Sequence, residues 1–463
     1  MPRAVSPTLL FLAAALCAGV AGRAQPRADD APWRPLIVGE TLAGWEQHGG
    51  SARFELRNGV ITGTSVDDRD NSFLCTEEAF GDFIFECEMR LPSALNSGIM
   101  FRAQLRASND RIYGYQCEVD PSARAWTGGI YDEARRRWLY PLTYNEPARS
   151  LFRLGTWNRI RIEALGNELR TYVNGELASR LVDDADARGV FGLQVHGVRD
   201  ARLAGQEVEW RGLRILTEDV ARHRLTPKPS VREVSFLVNE LTERERRLGW
   251  RLLWDGETTA GWRGAKLDGF PAAGWSIAGG VLTVEATDGG ESTGPGDIVT
   301  ERHYGDFELE LQFRITEGAN SGVKYFVDPS LNRGAGSAIG CEFQILDDAR
   351  HPDAKAGVAG NRTMGSLYDL IPAENLAYGR RKQVNPPGQW NHARIVSRGG
   401  EVTHYLNGEP VVRYDRYAQA FAALVAYSKY RDWENFGRWP AGAILLQDHG
   451  DEVSFRSIKI REF

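Results

Sequence analysis

The chain has 463 residues, 56 Lys plus Arg against 62 Asp plus Glu, and a formal net charge of −6. Its length exceeds the roughly 250–300 residues at which a single core stops growing, so two domains are expected. No basic block stands out, which argues against a nucleic-acid partner, and 50 Gly with 20 Pro suit many short strands better than a helical bundle.

The N-terminus carries Arg3, an apolar run from Leu9 to Val20 and small residues from Ala21 to Ala24. This pattern reads as a secretory signal over residues 1–24, too short to span a bilayer. A secreted or periplasmic protein with no transmembrane segment in its mature chain is expected. Cys17 follows Leu16, where a lipid-anchored signal would want a small residue. The remaining Cys75, Cys87, Cys117 and Cys341 are too scattered for a disulfide framework or a zinc cluster. Cys75 and Cys87 flank a turn at 80–82 and leave two outcomes open, a cross-strand bridge or two buried thiols.

From Gly44 onward the chain is one unit written twice. Gly44-Trp45 recurs as Gly261-Trp262, Gly81-Asp82-Phe83 as Gly305-Asp306-Phe307, and Asn96-Ser97-Gly98 as Asn320-Ser321-Gly322. Tyr131-Asp132 answers Tyr368-Asp369, Trp157-Asn158 answers Trp390-Asn391, and Asn174-Gly175 answers Asn407-Gly408. The last pair is Leu193-Gln194-Val195-His196-Gly197 against Leu446-Gln447-Asp448-His449-Gly450. The offset rises from 217 at Gly44 to 253 at Leu193, chiefly because the second copy alone carries an aromatic segment from Phe421 to Trp439. The units are expected over 33–216 and 250–463, joined by a linker at 217–249. Within that linker Thr242 and Glu245 form a capping box, so Glu243 to Leu248 should be a short helix.

Strand signals dominate each unit. FIFECEMRL, FELELQFRI, ELRTYVNGE and VSFRSIKI alternate apolar with polar residues, and both Asn-Gly pairs suit tight type I′ hairpin turns. The fold class expected is all-β, two tandem antiparallel sandwiches or jelly rolls.

Period-two counting puts Glu342 and Gln344 of GCEFQILDD on the face pointing away from the core, with Gln447 and His449 beside them. The first unit offers Gln116, Glu118 and Asp120 of GYQCEVD, with Gln194 and His196. Glu and Gln have traded places between the copies. Such acceptors, donors and imidazoles are what a polyhydroxylated ligand needs, although polar residues on an outer face also merely solvate a sheet. Tyr131 and Tyr368 are either turn residues or phenols at a groove edge. Asn-Ser-Gly at 96 and 320 reads first as a turn, yet Arg102 and Lys324 follow on the next strand, where a cation could polarise a carbonyl. Trp45 and Trp262 read as core anchors. The His residues show no metal-ligand spacing, and neither a Ser or Cys nucleophile motif nor a phosphate loop appears.

The ordered set LTERERRLGWRLLWDGETTAGW, GDFELELQFRI, NSGVKYF, GCEFQILDD, GSLYD, GQWNHARI, HYLNGEPV and LLQDHGDEVSFRSIKI resembles the DUF1080 family of 3-keto-disaccharide hydrolase domains over nearly all of 236–463. The first half is similar over about 33–216, but has Gln116 and Glu118 where the pattern prefers Glu then Gln, and Val195 for the Asp of LQDHG. The resemblance implies a concanavalin or laminin-G-like jelly roll and hydrolysis of glycosides oxidised at C3, a carbohydrate substrate. Elimination would need a base, Glu342 or His449, an acid, the other of these or Tyr368, and Lys324 as electrophilic helper, with Gln344, Gln447 and Asn320 at the sugar. An ordinary glycosidase would instead pair Glu342 with Asp347 or Asp369. No cofactor is implied, a structural Ca²⁺ in the loops stays open, and nothing indicates the oligomeric state. The rival class is a non-catalytic carbohydrate-binding or adhesion module. Two residues along a strand is roughly 7 Å, so the Glu/Gln exchange points to the second unit as the enzyme.

Overall fold

The computed structural model describes residues 32–287, 290–291, 296–332, 334, 336–377 and 381–463, so the expected signal at 1–24 lies outside the described residues. Among these residues the strands form four sheets, of nine and seven strands in the first half and eight and five in the second. The alternating segments pair as their patterns require. Phe83–Arg90 lies between Asn158–Leu165 and Glu207–Leu216, and its counterpart Phe307–Ile315 lies between Asn391–Arg398 and Val453–Glu462, all antiparallel. The chain is therefore all-β, two antiparallel sandwiches in tandem.

Each sandwich has its own core, because the inward residues of its two sheets meet face to face. In the first, Phe83 and Phe85 close on Phe191 with ring centroids 4.8 and 4.6 Å away. In the second, Phe313 meets Phe343 at 6.4 Å. Burying each such ring stabilises the fold by about 2–3 kcal/mol. Trp45 and Trp262 are core residues, each giving its indole N–H to a backbone carbonyl, of Leu36 and Leu253.

Both Asn-Gly turns have the two positive φ angles of type I′, 51° and 85° at Asn174 and Gly175, 49° and 84° at Asn407 and Gly408. The capping box is present: Thr242 Oγ1 accepts the Glu245 N–H, Glu245 accepts the Thr242 N–H, and the helix runs Glu243–Arg247. The stretch around it is packed between the halves. Val234–Ser235 adds a parallel edge strand beside Glu176–Val182, while Arg232 reaches across to Glu308 at 2.8 Å and to Glu310.

Cys75 and Cys87 are buried free thiols on strands of opposite sheets, so the turn between them crosses from one sheet to the other instead of joining a hairpin. Asn-Ser-Gly, expected as a turn, instead opens the strands Ser97–Arg106 and Asn320–Asp328. No helix among the described residues is long and apolar enough to cross a membrane.

Candidate active site

The five-stranded sheet of the second sandwich positions the site. Its strands Asn320–Asp328 and Ile339–Leu346 pair so that Gly322 faces Gln344 and Lys324 faces Glu342. Cys341, Phe343 and Ile345 point into the core, which turns Glu342 and Gln344 to the other side. That side is not open to water, since every residue of Ile339–Leu346 is buried and Glu342 is only 3% exposed. Gly322 makes room for the carboxylate, because a Cβ there would lie 2.3 Å from Glu342 Oε1.

Glu342 sits in a ring of charged groups. Lys324 Nζ is 3.7 Å from Glu342 Oε2 and 3.8 Å from Glu291 Oε1, and Gln447 Nε2 donates to Glu291 at 2.9 Å. Burial pushes the Glu342 carboxyl above the usual range, opposed by Lys324, Lys429 and His449. Lys324 is itself raised, with burial outweighed chiefly by Glu342 and Asp297, and its ammonium also donates to Ser337 Oγ.

Lys429 comes from the segment unique to the second copy. The helix Gln419–Ala426 and the turns that follow carry its ammonium over the Tyr368 ring, 4.2 Å from the centroid. Burial holds Lys429 below the usual lysine range, with Glu342 the first opposing charge. Asp369 accepts the Lys429 backbone N–H at 3.2 Å and Arg362 Nε at 2.8 Å, so it positions this segment. The Tyr368 hydroxyl donates to Asp353 at 2.7 Å, and burial followed by that bond raises its pKa.

His449 lies against His351 with the rings nearly perpendicular, centroids 6.1 Å apart. Together with Asp451 they bring three ligand atoms within 4.8 Å of one another, a donor set suited to a borderline transition ion more than to Ca²⁺. His351 Nδ1 is already engaged, accepting the Asp353 N–H at 3.2 Å.

The structure thus gathers Glu342, Lys324, Gln447 and His449, with Tyr368 beside them under Lys429. Gln344 Nε2 lies 3.1 Å from the Asn320 side-chain oxygen, deeper in the sheet. Asp347 is drawn elsewhere, accepting the Gly318 and Ala349 N–H groups and pairing with Arg350 at 3.1 Å. The sequence reading missed Lys429 and Glu291, both on irregular segments where no periodicity marks an inward residue.

In the first sandwich the partner of Gln116 across the strands is Met100, and that of Glu118 is Gly98. Arg102, read as the counterpart of Lys324, is not in the groove. It sits in a bulge at φ 46°, is 1% exposed, and donates to the Gly81 and Gly166 carbonyls at 2.9 and 2.7 Å and to Asp82 at 3.0 Å. Gln116, Glu118, Gln194, His196 and Tyr131 do come together, lining a cavity of about 520 Å³. A neighbouring cavity of about 800 Å³ shares Asn71, Asn96, Glu133 and His196 with it. Asn96 donates to Glu118 at 2.7 Å, the place taken by Asn320 and Gln344 in the second copy.

A family model described as the 3-keto-alpha-glucoside-1,2-lyase-like domain matches residues 32–216 and again 249–461. The chain belongs to this family. Both copies of the 3-keto-alpha-glucoside-1,2-lyase-like domain hold the strand pair just described, and the Gln-x-His pair falls within each. A 3-keto-disaccharide hydrolase of Bacteroides thetaiotaomicron is 32% identical over 237 residues, covering 46% of this chain and 78% of the relative. Two solved structures from Parabacteroides distasonis, each carrying a glycosyl-hydrolase assignment, are 30% and 28% identical. They cover 49% and 46% of this chain and 99% of their own, with TM-scores of 0.43 and 0.35.

Proposed function

We propose that the second domain cleaves 3-keto-disaccharides by elimination and hydration. The observation that carries this reading is a buried carboxylate, Glu342, 3.7 Å from the Lys324 ammonium, raised in pKa by burial and opposed by Lys324 and Lys429. A ketone at C3 acidifies the C2 proton, so a carboxylate whose pKa has been moved toward neutrality is a fitting base. Glu342 removes that proton and the C2–H electrons pass into an enediolate over C2, C3 and the ketone oxygen. The enediolate collapses to a C1–C2 double bond and breaks the bond from C1 to the aglycone oxygen, which takes a proton from His449. Water then adds across the double bond, its oxygen to C1 and a proton to C2, leaving the free 3-keto sugar.

The developing enediolate needs a preorganised positive group. Lys324 is largely committed to Glu342, Glu291 and Ser337, whereas Lys429 makes ring contacts and no side-chain hydrogen bond among the described residues. Lys429 therefore suits the ketone oxygen, and Lys324 keeps Glu342 ionisable. Gln447 orients hydroxyl groups, and Tyr368 with Asp353 and Asp369 fixes the segment bearing Lys429. The apolar run and small residues before position 25 support action outside the cytoplasm.

The deciding experiment is turnover of a 3-keto-disaccharide beside its unoxidised parent in D₂O. Elimination and hydration place deuterium at C2 of the product. Cleavage of the plain disaccharide alone, or a product that keeps its C2 protium, overturns this route.

A further inference from the structure

The polar cavity of the first domain is built for a ligand and lacks the lysines found in the second. Two buried amides of its lining keep an atom without a partner among the described residues, Gln116 at Nε2 and Gln194 at Oε1, each residue being 1% exposed. A donor and an acceptor left unpaired in the same cavity cost free energy that a ligand can return. A sugar hydroxyl is both acceptor and donor, so adjacent hydroxyls on one ring satisfy both amides.

The walls add what a neutral sugar needs. Trp138 lines the cavity and is held in place by Trp126 and Tyr131, edge to face at 4.6 and 5.1 Å. Glu118 is fixed by Asn96 at 2.7 Å and lies 3.8 Å from Arg124. Gln383 of the second domain completes the lining, and next to it the Val384 carbonyl accepts from Arg137 at 3.1 Å. A cavity of about 520 Å³ accommodates a disaccharide.

The two lysines near Glu342 in the second site are missing here, although the cavity keeps a buried carboxyl, Glu118, with His196 and Tyr131. Met100 stands opposite Gln116 where Lys324 stands opposite Glu342, and the segment bearing Lys429 has no counterpart before Leu193. We infer that the first domain is a non-catalytic binding site for a neutral disaccharide, seated on Gln116, Gln194 and Trp138 beside Gln383 of the second domain. That the site is non-catalytic rests on the roles proposed for Lys324 and Lys429, whereas the binding it predicts does not.

The test uses the full chain carrying Glu342→Gln, titrated with sucrose, trehalose, maltose and cellobiose by calorimetry and tryptophan fluorescence. Saturable binding of at least one is expected, with a fluorescence change that Trp138→Phe abolishes. Adding Gln116→Leu and Gln194→Leu should weaken binding at least about tenfold. These two substitutions remove unpaired buried polar atoms, so the melting temperature should not fall, which separates lost binding from lost folding. Adding Lys324→Met should leave the affinity unchanged. The inference is overturned if none of the four sugars saturates, or if binding survives the double Leu substitution or is lost with Lys324→Met. Binding can fail while 3-keto-disaccharide turnover persists, and the reverse, so each outcome is read separately.

Discussion

Lys324 and Glu342 face each other across neighbouring strands with Nζ 3.7 Å from Oε2, and in the first domain Met100 faces Gln116 at the same register. One copy keeps an ion pair under its ligand face and the other keeps a thioether against an amide. Glu342→Gln should lower kcat on a 3-keto-disaccharide by about 10²–10⁴-fold, the usual range for a general base. Steady-state kinetics with KM near the parent value supports the assignment, and unchanged kcat sinks it.

Removing the cation should move the pH profile. Lys324 is the first of the charges that offset burial at Glu342, so Lys324→Met raises the carboxyl pKa further. The base must be ionised to act, and activity is lost as pH falls through its pKa. The acid limb of kcat/KM should therefore shift to higher pH in the variant. A limb that stays in place would show that Lys324 does not govern the titrating group.

Lys429 should share the opposite limb with His449, which must carry a proton to act as the acid. The Lys429 pKa is lowered by burial, and its charged form is the one that stabilises an enediolate, so activity should fall as pH rises through that lowered value. Lys429→Met is expected to reduce kcat about 10²-fold or more and to change the position of this basic limb. A variant retaining the parent's basic limb would assign that limb to another group.

Glu118 gives a stability prediction with a definite sign. Burial pushes its carboxyl up to about 7 from 4.5, against the Asn96 hydrogen bond and Arg124. Between those values the folded protein holds a proton that the unfolded chain has released, so this group's contribution falls as pH rises through the window. Glu118→Gln should therefore stabilise the protein above that window, by at most about 3 kcal/mol, and have little effect near pH 4. Thermal melts at both pH values check this, and equal shifts at the two would contradict it.

Arg102 should matter to folding and not to chemistry. Arg102→Met leaves the Gly81 and Gly166 carbonyls without their donor in a buried bulge. A loss of about 3–5 kcal/mol is expected in denaturant unfolding, with kcat/KM of the folded protein unchanged. An activity loss with full stability would return Arg102 to the site.

The sequence by itself determined the duplication, the sandwich class, both Asn-Gly turns, the capping box and the side of the strand on which Glu342, Gln344, Gln116 and Glu118 lie. These are local properties, set by a period of two, by the φ angles that Asn-Gly tolerates and by hydrogen bonds within a few residues. Period two says which side a residue takes and nothing about what lies over that side. Only the tertiary structure decided that the outer face of Ile339–Leu346 is buried under a segment about 85 residues further along, which brings Lys429 to Glu342. The offset that relates Asn96-Ser97-Gly98 to Asn320-Ser321-Gly322 already makes Met100 the counterpart of Lys324, and the paired register agrees. The register shifts between Met100 and Gln104, so counting on past Met100 loses the face, and Arg102 turns to the loops at Gly81 and Gly166. The same two strands, alike in alternation, thus floor an open polar cavity in one domain and a covered charged site in the other, because long-range packing and not strand pattern chooses what meets their polar face.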